Sequence, residues 1–101
     1  MPEQVEKQIP LFFKLCSDHL SIEAIPRGAM KIDLNRMKDN PIHEHELMMW
    51  TPHFVVLRNR LGQEITLRKD GRMVVRKAGS EDVAKEAALR VMALVLKESD
   101  D

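Results

Sequence analysis

Four arginines stand where an extended chain would present them together: Arg58, Arg68, Arg72 and Arg76. Side chains on a strand alternate between its two faces, so Arg72, Val74 and Arg76 share a side, as do Thr66 and Arg68. Arg58 falls on the same side if the three stretches pair. Such a cluster of guanidiniums attracts phosphate through charge and counterion release, the chemistry of nucleic-acid or other polyanion binding. Exposed strand faces also collect Arg, Lys and Thr simply to stay solvated and discourage edge pairing.

A second group, His43-Glu44-His45-Glu46 with His53 nearby, has metal-ligand chemistry. On a strand His43 and His45 would share one face, yet two imidazoles are too few for a closed site. Neither His53 nor Cys16 has motif spacing to them, so a polar edge strand or loop is the plainer reading and no metal is assigned. Cys16 follows Phe12 and Phe13 as a small hydrophobe would. No Ser-His-Asp order, phosphate loop or carboxylate pair is visible, and Asp18 and His19, adjacent in sequence, would diverge on a helix. The sequence therefore nominates no catalytic residue and no cofactor, and nothing in it proposes an enzyme. A third group, Met48, Met49 and Trp50 after Leu47, reads as core or as an interaction surface, since Met and Trp are favoured at interfaces.

The elements that must position these residues are clearest from Leu67 to Lys97. Asp70-Gly71 signals a two-residue hairpin turn, because Gly tolerates positive φ. Ser80 suits a helix N-cap, with Glu81 and Asp82 in the dipole-favoured first turn. Val83, Ala84, Ala87, Ala88, Val91, Met92, Leu94 and Val95 then recur at helical spacing, predicting a helix over 81–97. Upstream, 54–60, 63–69 and 72–77 alternate as strands, and turns this short join only antiparallel neighbours. Ala29 to Leu34 alternates as a half-buried strand, residues 35–41 are turn-rich, and 43–50 reads as a strand ending at Thr51-Pro52. In residues 3–20 the apolar Val5, Ile9, Phe12, Phe13, Cys16 and Leu20 recur at spacings of three and four. That predicts a helix beginning near Pro10; a strand through Pro10–Leu15 competes with it.

Together these predict one α+β domain over residues 1–101. It has an antiparallel sheet of four to five strands, an N-terminal helix, and a C-terminal helix packed across one sheet face. Leu57, Leu67, Val75, Ala87, Val91 and Val95 should be buried between sheet and helix.

Composition limits the function classes. With 44% hydrophobic and 32% charged residues the chain can build a core, yet it holds no apolar run of membrane-spanning length. The first residues, MPEQVEKQIPLFF, lack the basic start of a secretory signal, and a single cysteine cannot form an internal disulfide. A reducing, cytoplasmic setting is the expectation. The net charge of zero hides a sorted pattern. Residues 1–53 carry six cations and eight anions, 54–78 seven and two, and 79–101 three and six, so a block of +5 lies between flanks of −2 and −3.

The run Gly71, Arg72, Met73, Val74, Val75, Ala78, Ser80, Glu81, Asp82, Lys85, Ala87 resembles the C-terminal part of one repeat of the TATA-binding protein family. The likeness extends over residues 54–97, and Asn40-Pro41 resembles an Asn-Pro that precedes a strand there. It concerns fold more than function. In that family two repeats form a saddle whose concave sheet bends DNA at the minor groove with wedged phenylalanines. One chain of this length would supply one repeat, so a saddle would require a homodimer. Arg68 stands where the family has an aromatic wedge, and no Phe occurs in 63–77, so TATA-box recognition does not follow.

Two functional readings remain, both of a small binding protein without chemistry of its own. In one, Arg58, Arg68, Arg72 and Arg76 bind nucleic acid or another polyanion. In the other, the chain is a self-associating or adaptor module that meets a protein partner. Neither calls for a membrane.

Overall fold

Alternation of apolar and polar residues at a period of two builds most of this chain. The computed structural model describes residues 11–15, 21–39 and 42–99. In chain order these form β1 (Leu11–Leu15), β2 (Ile22–Pro26), a one-turn helix α1 (Arg36–Asp39), β3 (Glu46–Trp50), β4 (Phe54–Arg58), β5 (Glu64–Arg68), β6 (Met73–Arg76) and a long helix α2 (Glu81–Ser99). The strands make one antiparallel sheet in the order β1-β2-β6-β5-β4-β3. The architecture is α+β, with the C-terminal helix across one face.

The sheet has six strands among the described residues rather than four or five, because β1 replaces part of the expected helix and β2 adds a strand that the alternation does not announce. Leu11–Leu15 is strand and not helix: all five residues pair with β2, and Leu-Phe-Phe suits a pleated surface. The competing expectation of a strand through Pro10–Leu15 fits here. Val5, Ile9, Pro10, Cys16 and Leu20 lie outside the described residues, as do Asn40 and Pro41. In β2, Ile22 and Ala24 are buried and Glu23 is half-exposed between them. Conversely, Ala29–Leu34 is no strand. Ile32 and Leu34 are buried and Lys31 and Asp33 exposed, as the alternation predicts, but the segment crosses from β2 towards the far edge outside the ladder. A bond from the Ile32 N–H to the Lys69 carbonyl, 2.8 Å, fixes it there.

Both hairpins of the β4–β5–β6 meander use a three-residue loop. Gly71 donates its N–H to the Arg68 carbonyl (2.9 Å), and Arg68 donates to Arg72 (2.8 Å), closing the loop Lys69-Asp70-Gly71. Gly62 to Asn59 (3.0 Å) and Asn59 to Gln63 (3.1 Å) repeat the pattern. The two-residue turn expected at Asp70-Gly71 is thus replaced by a turn ending in one left-handed glycine, with φ of 91° at Gly71 and 83° at Gly62. Asp70 keeps negative φ and bonds the Arg72 N–H instead, at 3.1 Å.

Helix α2 starts where expected: Ser80 Oγ accepts from the Val83 N–H at 3.2 Å. It lays Ala84, Ala88, Val91, Met92 and Val95 over the inner sides of β6, β2 and β1. The alanines let it approach closely, and Ala88 is wholly buried. Ile32 and Leu34 of the crossing segment, Met37 of α1 and Ile42 ahead of β3 join the same core as Val55, Leu57, Ile65 and Leu67 of the other strands. Each large side chain fully withdrawn from water contributes roughly 1.5–3 kcal/mol. The six core residues expected from the sequence are all buried. No helix of the described residues is long and apolar enough to cross a membrane.

Candidate interaction surface on the open sheet face

The core consumes one face of the sheet. The other face points away from α2 and the crossing segment, and strand register orders it into rows. The first row runs across β6, β5, β4 and β3 as Arg76, Glu64, Arg58, Glu46, each side chain directly opposite the next. Its charges alternate in sign. Arg58 donates to Glu46 at 2.8 Å, and Lys77, from the end of β6, donates to Glu64 at 3.1 Å. The second row is Lys14, Glu23, Val74, Thr66, Val56, Met49, running from β1 to β3. Its last four make a largely apolar stripe beside the charge ladder. The third row has Phe12 and Ile25 at one end, Arg72 and Arg68 in the middle and Phe54 at the other. Phe12 is 50% exposed with the Arg27 guanidinium 4.3 Å above its ring, and Met49 is 52% exposed.

Arg58, Arg68, Arg72 and Arg76 therefore do share one face, as strand alternation predicts. They do not form a free cationic field. Arg68 bonds Asp70 at 2.9 Å, Arg72 lies 3.9 Å from Glu23, and Arg76 stands opposite Glu64. Glu64 registers this neighbourhood: the Lys77 hydrogen bond, the largest effect, together with the Lys77, Arg76 and Arg58 charges outweighs the opposing effect of burial and holds its carboxyl below the ordinary value.

Compared with protein-family models, curated proteins and solved structures, this chain gives no match. The site's chemistry is therefore read from its own residues.

The Met48, Met49, Trp50 group is divided by a β-bulge between Leu47 and Met49. Trp50 turns inward and half-buries, with the Lys38 ammonium 4.5 Å above its ring. Met49 turns to the open face, and Met48 is the bulged residue, 43% exposed. Only Met49 of the three belongs to the open-face rows.

His43 and His45 stand in the turn before β3 instead of alternating on a strand, so the shared face expected of them does not exist. His45 Nδ1 lies 2.7 Å from the His43 carbonyl oxygen. Between them Glu44 adopts φ of 64°, strained for a non-glycine residue. Arg90 from α2 (3.1 Å), Arg60 from the β4–β5 loop (3.8 Å) and His43 (3.6 Å) surround its carboxylate. The cluster clamps three elements together. Among the described residues no three His, Cys, Asp or Glu side chains converge as metal ligands.

Sequence reasoning misses the acidic half of the face. Glu23, Glu46 and Glu64 become partners of the arginines only once register is known, and Glu23 sits in a strand the sequence does not announce. The signal for Glu64 is present, since it alternates with Thr66 and Arg68.

Proposed function

We propose that this chain is a non-enzymatic protein-interaction module whose contact surface is the open face of the sheet. The observation that carries the reading is the alternating ladder Arg76, Glu64, Arg58, Glu46 beside the apolar stripe Val74, Thr66, Val56, Met49. A phosphate backbone presents charge of one sign and rewards cations that carry no carboxylate partner. A protein surface presents both signs and apolar patches, which this face matches row by row. The likeness of residues 54–97 to one TATA-binding-protein repeat supports a sheet used as a docking platform. Arg68 at the wedge position, bonded to Asp70, argues against intercalation between bases.

The competing polyanion reading draws on Lys14 and the four arginines together. Fluorescence anisotropy with duplex and single-stranded probes at about 50 mM salt, where electrostatic affinity is strong, separates the two. No binding is expected. Binding with a log–log salt slope of roughly −2 to −4, flattened by Arg68→Ser with Arg76→Ser, would favour the polyanion.

A further inference from the structure

The charge ladder is complementary to its own reverse, and we propose that the partner on the open face is a second copy of this chain. This rests on the protein-interaction reading above and names its occupant. Consider two sheets stacked face to face about a two-fold axis parallel to the strands, passing over the gap between β4 and β5. The rotation reverses the order of strands and keeps each row level with itself. Arg76 then meets Glu46 of the other copy, and Glu64 meets Arg58, so all four rungs face opposite charge. In the stripe, Val74 meets Met49 and Thr66 meets Val56. In the third row Arg68 comes over Phe54, a cation on an aromatic face. An isologous pairing of this kind closes on itself as a dimer.

Register favours this axis: an axis over the β5–β6 gap or the β3–β4 gap also faces opposite charges, but on two rungs rather than four. Moving the axis by half a strand spacing, onto β5, sets Glu64 against Glu64 and Arg76 against Arg58. Moving it onto β4 sets Arg58 against Arg58 and Glu64 against Glu46. Like charges facing each other in a closed interface disfavour both arrangements. Face-to-face sheets pack with their strand directions within about 30° of each other, a range that includes this stack.

The footprint sets the strength. Four strands about 4.8 Å apart and five residues long, at about 3.4 Å each, cover roughly 330 Å² on each copy. Stable complexes bury about 800 Å² per partner, so this dimer belongs to the weak, transient class.

Sedimentation equilibrium from about 10 µM to about 1 mM covers the range of weak complexes. The parent chain is expected to shift from monomer to dimer. Arg58→Glu sets two carboxylates against each other at the central rungs, and Glu64→Arg sets two guanidiniums there. Each variant alone should therefore weaken the dimer by about tenfold or more. Mixing the two restores opposite charge at both central rungs, and an equimolar mixture should dimerise as the parent does. A variant that lost the dimer through misfolding would not recover on mixing. A parent chain monomeric at about 1 mM, single variants that dimerise undiminished, or a mixture that stays monomeric would each overturn the proposal. The first of these leaves the protein-interaction reading standing, whereas salt-sensitive nucleic-acid binding would overturn that reading whatever the oligomeric state.

Discussion

Trp50 donates its indole N–H to the backbone carbonyl of Leu34 at 2.8 Å, fastening the crossing segment to the edge strand β3. The same carbonyl also accepts from the Met37 N–H at 3.0 Å, which starts α1. Trp50→Phe keeps a ring for Lys38 and leaves the carbonyl with one partner, so no buried acceptor is orphaned. The loss should be about 1 kcal/mol for the bond, plus a smaller packing loss. A melting point lower by roughly 4–8 °C, measured by circular dichroism, is the expected outcome.

Two glycines allow backbone strain to be separated from collision. Gly62 has φ of 83° with nothing within 4 Å of the place a methyl group would take, so Gly62→Ala should cost about 1–2 kcal/mol from the left-handed backbone alone. At Gly71 a Cβ would stand 2.5 Å from Met30 Sδ and 2.8 Å from Pro26 Cγ, in addition to a φ of 91°. Gly71→Ala should therefore be the more damaging of the pair. Urea denaturation of both variants, expected to give a lower midpoint for Gly71→Ala, checks the order.

Val91 is wholly buried on the inner side of α2, whereas Ala93, two residues on, is exposed. Val91→Asp buries a charge among apolar side chains and should cost on the order of 3 kcal/mol or more. Ala93→Asp should cost less than about 1 kcal/mol, mostly helix propensity. Equal destabilisation of the two in chemical denaturation would mean that α2 does not present this face to the sheet.

Glu64 links stability to acid. Its carboxyl titrates below the ordinary 4.5 in the fold, chiefly through the Lys77 hydrogen bond, so the unfolded chain takes up the proton more readily. Its contribution is complete above the ordinary value and disappears as pH falls through the lowered one. Glu64→Gln should therefore lower the melting point near neutrality, and the gap to the parent should close as the solution is acidified below about pH 4. A gap that is constant with pH would contradict the linkage.

The meander, the N-cap at Ser80 and the core stripe of α2 are plain in the sequence, because each is a local pattern of alternation, capping or helical spacing. Strand β2 is not. Ile22-Glu23-Ala24 is too short to announce itself, and its partner lies far along the chain, where Glu23 pairs with Val74. The helix expected near Pro10 fails for a related reason. Leu11, Phe12 and Phe13 satisfy both periods, and pairing with β2 decides between them. For the site, alternation places the four arginines on one side correctly. The neutralising carboxylates are out of its reach, because cross-strand neighbours are a property of register. The Met48 bulge that separates Met49 from Trp50 likewise has no signature in a run of four apolar residues.

The pairing of β2 with β6 also fixes an order of events. Strands β3 to β6 and α2 are contiguous, and each joins its neighbour through a short loop. The β1–β2 hairpin can reach its place beside β6 only after the loop across the sheet closes, at an entropic cost that local pairings avoid. During synthesis, Phe12 and Phe13 leave the ribosome well before Met73–Arg76 exists to receive β2, so an aromatic hairpin waits without its sheet while the strands between are made. Strand β2, translated early, thus finds one native neighbour at once in β1 and must wait for the other until β6 has been made.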